Sequence, residues 1–204
     1  MPAVAEIDAV TIDAFGTLLE LRDPVGSLAR LLPGYDRAAI EQAFLAEAAH
    51  YVVHSYRGDA AGLSELYAEC AGVFNDTLGS ELTPEEYVGS LDDEYAVLPG
   101  AADELVRLRG LGLELAVVGN WDRRLPEHLE RLGLARFFGA IVTSAEAGAP
   151  KPDARPFALA LERVGVPADR ALHVGDSPAD EDGARAAGMS FLPAPLASLS
   201  DRLA

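Results

Sequence analysis

The sequence predicts an α/β fold: a Rossmann-like parallel sheet with covering helices, into which an all-α cap is inserted. Three observations carry this. A short apolar run, Ala9–Ile12, leads straight into Asp13 without polar alternation, the pattern of a strand buried on both faces. Residues from about 20 to 96 carry helical patterns and no strand signal. From Pro99-Gly100 onward strand and helix patterns alternate, as βα units of a parallel sheet do. One strand before the helical stretch and several after it place residues 1–18 and 97–204 in a core and 19–96 in a cap.

The elements follow from local chemistry. After Asp13, Gly16 and Thr17 allow a tight turn. Asp23-Pro24 reads as an N-cap with Pro at the first helical position, opening a helix to about Leu32. Asp36 caps a longer one through Ile40, Ala43, Phe44, Glu47 and Tyr51. Apolar residues from Leu63 to Leu78 recur at spacings of three and four. Thr83-Pro84-Glu85-Glu86 is a capping box and starts a helix to about Tyr95. Beyond Pro99-Gly100 a helix over about 101–110 precedes a strand at Leu113–Val118, which ends in Gly119-Asn120. Asp122 reads as the cap of a helix to about Leu132. A strand at Ala140–Thr143, a helix from about Asp153 to Val164 and a strand at Ala171–Val174 follow, the last ending in Gly175-Asp176. A helix over about 180–187 and a strand at 189–192 complete the pattern.

Composition narrows the function. A net charge of −17 argues against nucleic acid, whose phosphates need a basic footprint. It also makes an anionic substrate depend on a local cation. One cysteine, Cys70, excludes an intrachain disulfide and fits a reducing compartment. The first ten residues lack a basic segment and carry Glu6 and Asp8, unlike a secretory leader. No apolar run approaches the ~20 residues of a membrane span. These readings point to a cytoplasmic protein acting on a small anionic molecule, with neither membrane nor nucleic acid as partner.

Ligands of open α/β sheets bind beyond the carboxyl ends of the strands. Three strand ends here carry Asp13, Asn120 and Asp176. A fourth feature is Lys151, the only lysine; the other 15 basic residues are arginine. A chain that uses arginine everywhere else and keeps one lysine suggests a site needing a compact ammonium.

In their order and spacing these features resemble the haloacid dehalogenase (HAD) superfamily of hydrolases, over essentially the whole chain. The family's first motif matches Asp13-Ala14-Phe15-Gly16-Thr17, the second Val118-Gly119-Asn120, the third Lys151-Pro152 and the fourth Gly175-Asp176-Ser177. The helical insertion lies where the family's first cap type does. The resemblance implies Asp13 as nucleophile, forming a covalent aspartyl intermediate, and Lys151 as the group that holds it. It implies Thr17, Gly119, Asn120 and Lys151 as contacts to the substrate's anion. Asp13, Asp176, Asp180 and the backbone carbonyl of Phe15 would hold Mg²⁺ through oxygen alone, as suits a hard cation. Carboxylates converging at ~4 Å repel by about 4 kcal/mol per pair at an effective dielectric of 20, which a divalent cation relieves.

Three positions depart from the family pattern. Phe15 stands where the phosphatases have a second aspartate as general acid/base; the L-2-haloacid dehalogenases look like this chain in having an aromatic residue there. Gly119 replaces the usual Ser or Thr of motif two. Motif four is a residue short, leaving Asp180 and Glu181 as its second acid; the spacing to Gly183-Ala184 favours Asp180. Three functions are therefore open: a slow Mg²⁺-dependent phosphohydrolase, a dehalogenase-like hydrolase, and a catalytically degenerate binding or regulatory protein. His50, Tyr51, His54, Tyr56 and Arg57 gather at one end of a cap helix and could face the site, although helical spacing of aromatics more simply describes cap core. Trp121 either lines the entrance or packs on the helix it precedes.

Overall fold

The structure, a computed structural model, describes residues 7–203. The part of the leader-peptide reading that rests on residues 1–6 lies outside the described residues. Five strands form one parallel sheet: β1 (Ala9–Ile12), β4 (Glu114–Gly119), β5 (Ala140–Thr143), β6 (Ala171–Gly175) and β7 (Ser190–Pro193), in the order β5-β4-β1-β6-β7. β1 is central, with β4 and β6 as its two neighbours. The three strand ends singled out in the sequence are thus adjacent, and the strand order reverses at β1. That is where open sheets of this kind form their crevice.

The strands are apolar throughout because both faces are covered. Val10, Ile12, Leu115, Val117, Leu172 and Val174 point into one core, packed by α5 (Ala101–Gly110), α6 (Leu125–Arg131) and α10 (Leu199–Leu203). Ala9, Ala116, Val118 and Ala171 point into the other, filled by Phe157 of α8 (Arg155–Val164) and Ala184 of α9 (Pro178–Ala186). The short α7 (Ser144–Ala147) caps the end of β5. Each fully buried Val, Leu or Phe contributes about 1.5–3 kcal/mol of transfer free energy.

The helical segment comprises α1 (Pro24–Leu31), α2 (Arg37–His54), α3 (Leu63–Leu78) and α4 (Pro84–Asp92). Asp23 and Asp36 accept backbone N–H groups at the starts of α1 and α2, and Thr83 and Glu86 form the capping box of α4. Leu28, Ile40, Leu66, Phe74 and Tyr87 form a core of their own within this segment. The expectation of no strand between 20 and 96 is corrected at both ends. β2 (Leu19–Leu21) and β3 (Tyr95–Val97) pair antiparallel, zipping the two crossings between sheet and helices together. Three-residue strands are too short to show a period. α4 accordingly stops at Asp92 rather than near Tyr95. Among the described residues no helix is long and apolar enough to cross a membrane.

One buried acid strains the helical core. Glu47 is buried, accepts the Tyr87 hydroxyl at 2.7 Å and faces no cation within bonding reach. Burial raises its carboxyl above the ordinary 4.5, outweighing the hydrogen bonds of Tyr87 and Cys70. A carboxyl raised in the folded state contributes stability at low pH that is lost as pH rises through the folded value. Glu47→Gln should therefore melt higher than the wild type at pH 8, by about 2–4 °C for each kcal/mol relieved in a chain of this size. The difference should vanish towards pH 4, as followed by circular dichroism.

Candidate active site

The site is assembled around Lys151, which leaves the loop before α8 and runs under the ends of β1 and β4. It is 6% exposed, and its ammonium has three acceptors for its three protons. It donates to Asp13 Oδ1, to Asp180 Oδ1 at 2.6 Å and to the carbonyl of Val118 at 3.0 Å. Its backbone is fixed as firmly. Asn120 Oδ1 accepts the Lys151 N–H at 2.6 Å, and Asn120 Nδ2 donates to the Lys151 carbonyl at 3.2 Å. Asn120, expected at the substrate, thus spends its amide on holding the lysine.

Asp13 ends β1 and is 5% exposed. One carboxylate oxygen is engaged by Lys151; the other, Oδ2, is buried and has no partner. Thr17 Oγ1 is likewise buried without a partner. An unsatisfied buried polar atom costs about 1–3 kcal/mol, and two of them in one motif mark the place of a ligand. Burial, reinforced by the charges of Asp180 and Asp176, raises Asp13 to about 6 against the pull of Lys151.

Asp180 is the third residue of α9, which begins at Pro178 rather than near 180. Its Oδ2 accepts the N–H and hydroxyl of Ser177, a capping box, at 3.1 and 2.6 Å. Its Oδ1 takes Lys151 and, at 3.1 Å, His173 Nε2. Burial alone would push its carboxyl up; the hydrogen bond from His173 and the charge of Lys151 outweigh it and hold Asp180 well below the usual carboxylate range. Four donors take up about the four lone-pair sites of a carboxylate. Glu181, the other candidate, points away to Arg185 at 2.5 Å.

Asp176 is exposed, and carboxylate oxygens of Asp13, Asp176 and Asp180 lie within 4.8 Å of one another. Three carboxylates face one ammonium, a local excess of two negative charges that a divalent cation would balance. The buried free Oδ2 of Asp13 and the all-oxygen donor set fit Mg²⁺. Gly16 keeps Asp176 close: it takes φ +87°, and a Cβ there would collide with the Asp176 carboxylate.

Gly119 and Phe15 explain themselves by packing. A Cβ on Gly119 would lie 3.2 Å from both Ala14 Cβ and Leu125 Cδ2, a contact tight enough that these neighbours would have to give slightly to admit a side chain. The Phe15 ring is 50% exposed and meets Trp121 edge-on, centroids 6.5 Å apart. Trp121 is buried and also packs on Tyr95 and His128.

Sequence reading missed two contributors. His173 lies on β6 opposite Thr11 of β1, whose hydroxyl is 2.8 Å from His173 Nδ1. The signal was a Thr and a His in strands otherwise wholly apolar. Asp122 does not cap α6. It is buried in the preceding loop, where its Oδ2 accepts the hydroxyls of Tyr51 and Tyr67, both at 2.9 Å. Helix α6 opens three residues later, at Leu125, with Pro126 in its first turn. Of the five residues at the end of α2, Tyr51 therefore reaches the core. His50 and His54 stack on each other at 4.1 Å, and Arg57 is bound bidentate by Glu69 at 2.9 and 2.7 Å. Between α2, α3, α4 and the loops after β1 and β4 lies a cavity of about 260 Å³, with Phe15, Asn120 and Trp121 at its site end.

A family profile for haloacid dehalogenase-like hydrolases matches residues 7–188. The chain belongs to that family. It is 49% identical over 100 residues to mouse haloacid dehalogenase-like hydrolase domain-containing protein 3, covering 48% of this chain and 40% of the relative. It is 38% identical over 104 residues to a phosphoglycolate phosphatase of Caulobacter vibrioides, covering 50% and 44%. The chain thus spans less than half the length of these curated relatives. In structure it is similar to L-2-haloacid dehalogenase of Xanthobacter autotrophicus, with a TM-score of 0.71, 21% identity and coverage of 91% and 76%.

Removing the ammonium tests its place in this HAD hydrolase. Lys151→Met leaves Asp13 and Asp180 buried without their cation, and should cost roughly 3–5 kcal/mol in urea unfolding with EDTA present. The loss should be larger at pH 8 than at pH 5, because ionised carboxylates without a partner are what the variant cannot hold.

Proposed function

We propose that this chain is a Mg²⁺-dependent phosphohydrolase of a small phosphorylated molecule, working through an aspartyl-phosphate on Asp13. The observation that carries this is the buried, unpartnered Oδ2 of Asp13, set beside Lys151 and within reach of the open carboxylate of Asp176. Lys151 holds Oδ1 and leaves Oδ2 as the attacking atom. Oδ2 forms a bond to phosphorus as the bond to the leaving oxygen breaks, and that oxygen departs with the electron pair. Water then attacks the same phosphorus, phosphate leaves, and the Asp13 carboxylate is restored. Asp13, Asp176 and the Phe15 carbonyl would hold Mg²⁺, with Asp180 behind them positioning Lys151. The bound metal would supply the charge that neutralises carboxylates and phosphoryl oxygens. The lone, buried Cys70 supports placing the reaction in the cytoplasm.

Phe15 sets the rate. It offers no proton to the departing oxygen, and a positioned acid contributes typically 10²–10⁴-fold. Turnover should be slow except where the leaving group departs as a stable anion. Phe15 also favours a second reading, a dehalogenase in which Asp13 displaces halide from carbon. Asp176 weighs against it, because an ester bond to carbon needs no metal carboxylate.

A joint screen of phosphate esters and 2-haloacids separates these readings. The protein should hydrolyse p-nitrophenyl phosphate with Mg²⁺ and lose the activity in EDTA, and Asp13→Asn should lower it by more than about 10³-fold. Metal-independent halide release would establish the dehalogenase instead, and silence on both classes a binding protein. Phe15→Asp should raise turnover of alkyl phosphates roughly tenfold more than that of p-nitrophenyl phosphate; an equal effect on both would show that no acid is missing.

A further inference from the structure

We propose that the 260 Å³ cavity next to the site seats the leaving group of the substrate, and that this group is an aromatic ring, making the substrate an aryl phosphate monoester. This rests on the hydrolase reading for the anion; the ring is read from the cavity itself.

The cavity opens to solvent beside the exposed Leu45 and Val52, so a ligand can enter it. An apolar cavity of roughly 150 Å³ takes up benzene, so this one has room for a body of one or two rings. Its charged groups pair with one another or with tyrosine hydroxyls, while the Tyr95 hydroxyl, which also lines it, makes no hydrogen bond among the described residues. Glu47 is bound by Tyr87, and Asp122 by Tyr51 and Tyr67. Arg124 is bound by Asp92, and donates to the Tyr67 hydroxyl at 3.2 Å. Tyr51 both donates to Asp122 and accepts its N–H at 3.0 Å. What these residues turn to the cavity is ring and methylene surface. Phe44, Leu45, Val88 and Leu91 complete it.

A polar leaving group would lose its water there and find these partners taken, at a cost of about 1–3 kcal/mol for each unmade hydrogen bond. Glycolate, the group named for the phosphatase relatives, is such a group. An aromatic body gains both area and ring contacts.

The cavity and the nucleophile are physically continuous. Phe15 lies two residues after Asp13 and lines the cavity; Asn120 lines it too while clamping Lys151. Phe15 adds an independent argument. Without an acid beside the leaving oxygen, a phenolate departs far more readily than an alkoxide. The residue that removes the acid thus also supplies one wall of the ring site.

Trp121 is the only tryptophan and lines the cavity, so its fluorescence reports occupancy without turnover. Titrations of Asp13→Asn in the presence of Mg²⁺ would use phenyl phosphate, glycerol phosphate and inorganic phosphate, excited where phenyl phosphate does not absorb. Phenyl phosphate should bind roughly tenfold or more tighter than the other two. Ala48→Phe, which fills the cavity from α2, should erase that preference. Equal affinities for phenyl and glycerol phosphate, or no binding of any of the three, would overturn the proposal. The readout is separate from catalysis. Selective binding without hydrolysis supports the ring site and removes the hydrolase reading; hydrolysis of p-nitrophenyl phosphate with equal affinities does the reverse.

Discussion

A single buried ammonium holds the carboxyl edge of this sheet together. Lys151 touches Asp13 at the end of β1, the carbonyl of Val118 in β4 and Asp180 at the start of α9. Burial alone would lower its pKa, but the charges of Asp13 and Asp180 raise it, so it stays protonated at neutral pH. Buried ion pairs often add little net stability, because desolvation offsets the attraction. Their value is geometric: with both partners in place the groups have one arrangement, and with one removed they have none. Asp13 is aimed because its counter-ion is itself clamped at backbone and side chain.

Behind the lysine lies a second tier. Thr11, His173 and Asp180 form a chain of hydrogen bonds from the middle of the sheet to the site. His173 is wholly buried, and burial lowers its pKa, so it is neutral. The ionised Asp180 can only accept, so Nε2 of the neutral ring carries the proton and Nδ1 is left to accept from the Thr11 hydroxyl. The arrangement sits on paired strands rather than on loops, which fixes Asp180 to the register of β1 and β6. The helical segment repeats the device in a different chemistry: its buried acids, Glu47 and Asp122, are held by tyrosine hydroxyls instead of by cations.

What the sequence made legible divides along physical lines. The buried strands, the capped helices and the residues at strand ends were readable, because each has a local signature: an apolar run, an N-cap, a carboxylate followed by a turn. Lys151 was readable from composition alone. Asp122 was misread because Asp before a helix suits a cap equally well, and only the tertiary position of Tyr51 and Tyr67 decides that its carboxylate turns inward. His173 and the β2–β3 pair were missed for the same kind of reason. One is a strand residue whose partner lies 162 positions away; the other pairs segments 74 positions apart, each too short to have a pattern. The role of Asn120 on the Lys151 backbone is equally non-local.

The two departures from the family pattern are not isolated losses. At Gly119 a Cβ would press on Ala14 and Leu125, both part of the core under the site. At Phe15 the missing carboxylate is replaced by a ring that packs on Trp121, which packs in turn on Tyr95 and His128. At Gly119 a side chain would need its neighbours to give by a few tenths of an ångström, whereas the exposed Phe15 can be replaced without that. A chain drifting out of use would be expected to lose Lys151, Asp176 or the orphaned Oδ2 of Asp13 along with the acid. Here those stay, and of the two departures only Phe15 lines the cavity; Gly119, Ala14 and Leu125 lie outside its lining. On the proposed reading, the Phe15 ring is the departure that bears on the leaving group.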